Sequence, residues 1–226
     1  MYENNTTTHM KGKIIICVII CAAIVSIVLQ PIRLRASEQI DYNEIGTVID
    51  SSLSDLTIIN NSLTGVVAVE DEQIILFVNK IPVTNAEMQF RLSLDKVSPQ
   101  PRTQQEILDV LIKEKVLLSV AKEYNVLPLE EEINEMLFAN RNEAVLVSEA
   151  EKFCKNNNLS LDEYWNTYER YNIIRILISQ NVFEQYLQEE QIDVTYGEAV
   201  MSEEICEDYL SELNRWISQA EIVYVE

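Results

Sequence analysis

Histidine, glycine and proline are all scarce in this chain of 226 residues. The single histidine, His9, lies near the start of the chain, so no histidine-dependent triad or zinc site is expected in the folded part. Four glycines and five prolines disfavour turn-dense β-sandwiches and barrels, and four glycines are too few for a glycine-rich phosphate loop. We therefore expect a mainly α-helical protein.

Basic residues are also few. The chain has 17 Lys and Arg against 37 Asp and Glu, and its formal net charge is -20. Binding to nucleic acid is not expected, because neutralising phosphates requires clustered Lys and Arg. A charge of this sign favours solubility and basic partners. Carboxylate pairs are abundant, but helical surfaces supply them by default, so we predict that the chain is not an enzyme.

One long apolar run stands near the N-terminus, over residues 14–29. With the residues that follow it, it predicts a transmembrane anchor over 14–34, since a bilayer core needs roughly 20 residues. Lys11 and Lys13 precede the run and predict that the tail 1–13 is cytoplasmic. The folded part is then extracytoplasmic, on a single-pass protein of the cell membrane.

A cleaved signal peptide is the alternative interpretation of this run, and it would make the protein secreted. Cleavage after Ala36 would place Leu34 where a small residue is preferred, so the pattern favours an uncleaved anchor.

The rest of the chain divides into a linker or stalk over 35–72 and one folded domain over 73–226. The linker mixes Ser, Asn, Asp and Thr with scattered apolar residues near helical spacing, so a short helix there is an alternative. Two β-favouring runs, 74–78 and 221–225, stand near the two ends of the domain. Two lone strands are stable only when paired, so they predict a small two-stranded element that joins these ends.

Helix signals fill the domain between the two strands. Thr84 and Glu87 have the spacing of a capping box, and Ser160 and Glu163 repeat it. A 3.6-residue apolar period begins at Gln104. The predicted helices cover 85 to about 97, 104 to about 124, a segment that begins near Pro128 and a long segment from 161 to about 188. A last helix is predicted to begin after Gly197 or after Ser202 and to end near 219.

The long predicted helix is rich in aromatic residues in its first half: Tyr164, Trp165, Tyr168 and Tyr171. Aromatic residues at three- and four-residue spacing are typical of the buried face of an amphipathic helix. Tyr and Trp also offer large apolar faces with a polar tip, which suits adaptable contacts to unfolded segments. These four residues are therefore either core or a candidate client-binding surface.

Cys154 and Cys206 are the only thiols beyond the apolar run. An extracytoplasmic location would permit a disulfide between them. The alternative is two small buried residues, because free cysteine packs as a small hydrophobe.

Several motifs resemble the SurA-like N-terminal domain, which is found in the chaperone SurA and in exported foldases of the PrsA type and is distantly related to the substrate-binding part of trigger factor. The first is VNKIPVT, residues 78–84, with Lys80 where the family usually has glycine. The second is the helical stretch LDVLIKEKVLLSVAKEYNVLPLEEEINEML, and the third is NLSLDEYW, residues 158–165. The final strand also resembles the one that returns to the first strand in this family.

The resemblance implies a membrane-anchored chaperone that binds unfolded or newly exported polypeptides in apolar grooves between helices, without a cofactor. Relatives that isomerise prolyl bonds do so with an added parvulin domain. The chain leaves no room for one, so isomerase activity is not expected. A non-catalytic scaffold that binds one folded partner at the membrane is the alternative function.

Overall fold

The computed structural model describes residues 42–64, 74–96 and 101–225. These residues form a mainly helical structure with a small three-stranded antiparallel sheet. The predicted tail 1–13 and anchor 14–34 lie outside the described residues. Within the described ranges, no helix is both long and apolar enough to cross a membrane.

The helices are numbered here in chain order. They are α1 Tyr42–Ser51, α2 Leu53–Leu63, α3 Asn85–Lys96, α4 Gln104–Glu123, α5 Glu130–Asn142, α6 Ala144–Asn157, a long α7, α8 Tyr196–Met201 and α9 Glu203–Gln219. The long helix α7 has three consecutive parts: Leu161–Glu163, a π-helical turn Tyr164–Glu169, and Arg170–Glu189. The predicted helices are confirmed within a few residues at their ends, and the last one, α9, begins after Ser202, which is one of its two predicted starts. The short helix α8 precedes it.

The sheet contains one strand more than predicted. Its strands are β1 Ile74–Val78, β2 Ile81–Thr84 and β3 Ile222–Tyr224, in the order β2-β1-β3. Both pairings are antiparallel, and Val78 lies opposite Ile81 in one and opposite Ile222 in the other. The predicted meeting of the two ends is thus correct, but the element is three-stranded because the residues after the first turn pair as β2.

A two-residue turn joins β1 to β2. Asn79 and Lys80 both have positive φ, at 49° and 67°, as the tightest β-hairpin turns require. Lysine at the glycine position therefore still forms the tight turn, in a conformation that costs a residue with a side chain roughly 1–2 kcal/mol. Asn79 offsets part of this cost: its N–H donates to Glu221 O at 2.9 Å, and its Oδ1 accepts from Glu221 N–H at 2.9 Å. The turn thus fixes the start of β3.

The linker predicted for 35–72 does not hold for residues 42–63. These residues form α1 and α2, and four of their apolar side chains are buried: Ile49, Leu56, Ile59 and Leu63. The last three belong to the main core, and Ile49 packs in a smaller cluster with Cys154 and Leu159. Burial of this much apolar surface outweighs the polar composition that predicted a loose tether.

Two sets of charged side chains lie inside the core between α3, α4 and α7. Lys115 Nζ donates to Glu87 Oε1 at 2.9 Å, and the side chains of both residues are 3% exposed. Glu114 forms ion pairs with Arg91, at 2.5 Å, and with Arg175. Each buried charge thus has a partner of opposite sign, as burial requires.

Candidate functional site

The four aromatic residues singled out in the sequence lie mostly inside the structure. Trp165 is 5% exposed and Tyr171 is 1% exposed, and both belong to the main core. Tyr164 and Tyr168 are half-buried and pack against that core. Neighbouring core residues cover the ring faces of Trp165 and Tyr171. These two rings therefore cannot contact another chain. This result favours the core interpretation over the client surface.

The first half of α7 contains a π-helical turn, and three of these four aromatic residues lie in it. The Thr167 carbonyl in this turn accepts a hydrogen bond from Asn60 Nδ2 of α2 at 2.9 Å. Arg141 of α5 donates to Asn166 Oδ1 at 2.6 Å, and its guanidinium lies 5.9 Å from the centre of the Trp165 ring. The turn is therefore held from two sides by neighbouring helices.

Tyr171 provides a test of the core interpretation. Burial raises the pKa of its phenol to about 12, and its hydroxyl has no hydrogen-bond partner. We expect Tyr171→Phe to raise the free energy of unfolding by about 1 kcal/mol, because it removes an unsatisfied buried polar group. Urea denaturation would measure the change. A loss of polypeptide binding by this variant at unchanged stability would instead place Tyr171 in the binding site.

The disulfide considered for Cys154 and Cys206 is not formed. Both cysteines are free. Cys154 is buried on α6 beside Ile49, whereas Cys206 lies on α9, where its Sγ is 3.7 Å from the carbonyl oxygens of Ala199 and Val200. Burial raises the pKa of both thiols. They therefore act as packing residues in this structure.

A groove runs along the second half of α7, between that helix and the segment that joins α4 to α5. Its volume is about 280 Å³. The joining segment turns sharply because Asn125 is left-handed, with φ of 57°, and Val126 N–H donates to Ala121 O at 2.9 Å. Asn181 of α7 then donates to Val126 O at 3.0 Å and fixes the segment against the helix.

The groove lining combines carboxamide, aliphatic and acidic side chains. The amides are Asn125, Asn181, Gln185 and Gln188. The aliphatic residues are Val126, Leu127 and Leu129, of which Leu129 is 65% exposed. The acids are Glu132 and Glu184. Glu132 accepts the Leu129 N–H at 2.7 Å, and Glu184 accepts from Gln180 at 2.9 Å.

This composition suits an extended polypeptide better than a small metabolite or a metal. Carboxamides both donate and accept hydrogen bonds, so they can pair with any peptide backbone. The aliphatic side chains can cover apolar side chains of the same segment. Among the described residues, no group of three or more His, Cys, Asp or Glu side chains could hold a metal ion.

The groove is acidic, and so is the whole C-terminal part of the chain. Residues 176–226 contain twelve acids and a single base, Arg215, so they carry more than half of the net charge of -20. Arg215 is itself paired with Glu212. The described part of the chain from the second half of α7 onward is therefore strongly acidic, and a charge of this sign attracts basic segments of other chains.

The sequence alone did not predict this groove. Its two walls come from residues 125–132 and 181–188, and neither wall has a catalytic or binding motif of its own. The local signals were Asn125 followed by Pro128, which mark a turn but not a cavity. The chain matches no known family model, no curated protein and no solved structure.

Proposed function

We propose that this protein is a membrane-anchored, extracytoplasmic chaperone-like domain that binds unfolded or newly exported polypeptides without enzymatic activity. The observation that carries the proposal is the groove beside the second half of α7, with its mixture of amide and aliphatic side chains. The predicted anchor, residues 14–34, would keep this groove close to emerging chains and so raise its effective concentration for them.

The order of the elements supports the resemblance to SurA-like domains that the sequence motifs indicate. A β-hairpin leads into α3, six further helices follow, and a final strand returns to pair with β1. The client contact that we propose differs from the one considered from the sequence. It moves from the aromatic first half of α7 to the amide-rich second half, because the aromatic half is buried.

Leu129 allows the groove to be tested without damage to the fold. It occupies the N-cap position of α5, where its extended backbone suits serine, a favoured N-cap residue. Leu129→Ser thus removes the exposed aliphatic side chain and leaves the helix at least as stable. We expect this variant to require roughly fivefold more protein for equal protection of a client, since much of one leucine's contact is lost.

The measurement is light scattering of reduced lysozyme, a basic client, with the full-length chain in lipid nanodiscs and empty nanodiscs as the blank. Met201→Ser is the matched control, because Met201 is 81% exposed but does not line the groove. The control should protect as well as the unmodified chain. Equal protection by the unmodified chain, Leu129→Ser and Met201→Ser would show that the groove does not bind the client. If none of the three protected the client, the proposed chaperone function would be wrong.

Reduced α-lactalbumin, an acidic client, separates general chaperone activity from charge-selective binding. The acidic C-terminal part of the chain predicts weaker protection of this client than of lysozyme, and a smaller difference at high salt. A single folded partner bound in a fixed ratio, with no protection of either client, would favour the scaffold function instead.

A further inference from the structure

The outer edge of the sheet carries an apolar strand that the groove proposal does not use. β3 is an outer strand in the order β2-β1-β3, and no strand pairs with its other side within the ranges that the structure describes. Four consecutive large residues there, Ile222, Val223, Tyr224 and Val225, are each at least 37% exposed. Most apolar residues of this size in the domain are buried or partly buried against the core, so β3 is an exception that requires an explanation.

The pairing with β1 determines which backbone groups of β3 face outward. Asn79 N–H donates to Glu221 O, and Val225 N–H donates to Ile75 O. Alternate residues of an antiparallel ladder direct their N–H and C=O groups to the same partner, so residues 221, 223 and 225 face β1. Ile222 and Tyr224 therefore direct theirs to the open edge. Such a row of unpaired groups is a template for one more strand.

The side chains on this edge add little sequence preference of their own. Successive residues of a strand point to opposite faces, so Ile222 and Tyr224 lie on one face and Val223 and Val225 on the other. All four are aliphatic or aromatic. An added strand would find apolar contact on either face, whichever of its own residues were apolar.

The charge of this part of the chain favours one kind of occupant. Glu221 precedes the strand, and residues 176–226 contain twelve acidic residues and one basic residue. A second copy of this chain would bring the same negative charge against itself. A basic, extended segment would be attracted instead. On this ground, and resting on the proposed function, we infer that the open edge of β3 binds clients by strand addition and selects segments in which apolar and basic residues alternate.

Proline at residue 224 tests the backbone contact directly. Proline removes the Tyr224 N–H, which faces the open edge, and leaves the bonds between β3 and β1 in place, as proline on edge strands does. Tyr224→Thr is the matched control, because it also loses the ring but keeps the N–H. The probe is a short fluorescent peptide in which valine and lysine alternate, and its binding to the full-length chain is followed by fluorescence anisotropy.

We expect Tyr224→Pro to weaken binding of this peptide about tenfold, because a backbone hydrogen bond is lost and its partner on the peptide stays unsatisfied. Tyr224→Thr should bind within about threefold of the unmodified chain, since only side-chain contact changes. The same peptide, N-methylated at every central residue, should bind the unmodified chain as weakly as the unmethylated peptide binds Tyr224→Pro. A valine–glutamate peptide should bind more weakly than the valine–lysine peptide.

Equal affinity for the methylated and unmethylated peptides would overturn strand addition. If Leu129→Ser still reduced client protection, the groove function would stand alone. Concentration-dependent dimerisation in sedimentation experiments, abolished by Tyr224→Pro, would assign the edge to a second copy and overturn the basic client as its occupant. Absence of both peptide binding and client protection would overturn the inference and the proposed function together.

Discussion

Replacing Lys115 with methionine is expected to destabilise the protein by about 3–5 kcal/mol, the usual effect of removing one partner from a buried ion pair. Methionine fills nearly the same volume, so packing changes little. The Glu87 carboxylate, however, stays 3% exposed and loses the ammonium group 2.8 Å away. The Thr84 hydroxyl accepts the Glu87 backbone N–H, and a neutral hydroxyl cannot balance the charge of the carboxylate. Urea denaturation followed by tryptophan fluorescence would measure the loss.

The double variant Glu87→Met, Lys115→Met distinguishes a charge effect from a packing effect. With both charges removed, no unpaired group remains, and we expect most of the lost stability to return. Lys122→Met on the exposed side of the same helix is the control and should change stability by less than about 0.5 kcal/mol. A double variant as unstable as Lys115→Met would show that methionine does not fit between α3 and α4.

The elements that the sequence predicted well are those whose ends are determined by neighbouring residues. Thr84 accepts the Glu87 N–H at the start of α3, and Ser160 accepts the Glu163 N–H at the start of α7. The run at 74–78 coincides with β1 because β-favouring residues fill it. Each of these signals spans four or five residues, so a reader of the sequence can recognise it.

The elements that were missed depend on distant contacts. Helix α6 begins after Glu143, whose side chain forms no capping bond. Helix α2 contains Asn60, a polar residue that is buried because it donates to Thr167, 107 positions along the chain. The same contact supports the π-helical turn, which has no sequence signature of its own. Polar residues with remote partners resemble a linker in sequence but belong to the core in the structure.

The groove could not be predicted from the sequence for the same reason, because it also depends on distant contacts. The aromatic residues of α7 were candidates for binding because their side chains are large and apolar. The same property favours their burial in the core. The amides further along the helix are unremarkable in sequence and line a groove only because the segment after α4 packs beside them. A candidate site chosen from composition therefore fell on α7, which also lines the groove, but on side chains that lie in or against the core.

Glu114 provides the prediction with the clearest dependence on pH. Burial opposes its ionisation, yet the charges of Arg175 and Arg91 outweigh burial and hold the pKa of Glu114 below the ordinary 4.5. Glu114→Gln should lower the free energy of unfolding by about 3 kcal/mol at neutral pH, since it leaves two largely buried guanidinium groups without their carboxylate. Glu123→Gln, an exposed change on the same helix, is the control and should cost less than about 0.5 kcal/mol.

The difference between the unmodified chain and Glu114→Gln should shrink in acid. A carboxyl with a lowered folded pKa contributes stability above its unfolded pKa, and this contribution is lost as the pH falls through the folded value. The gap in unfolding free energy should therefore be constant near neutrality, begin to narrow as the pH approaches 4.5, and continue to narrow below it. Urea denaturation at a series of pH values would measure the gap. A gap that stays constant from neutral pH into acid would show that the loss comes from altered packing of α4 against α3 and α7, and that the ionised carboxylate does not hold the two arginines.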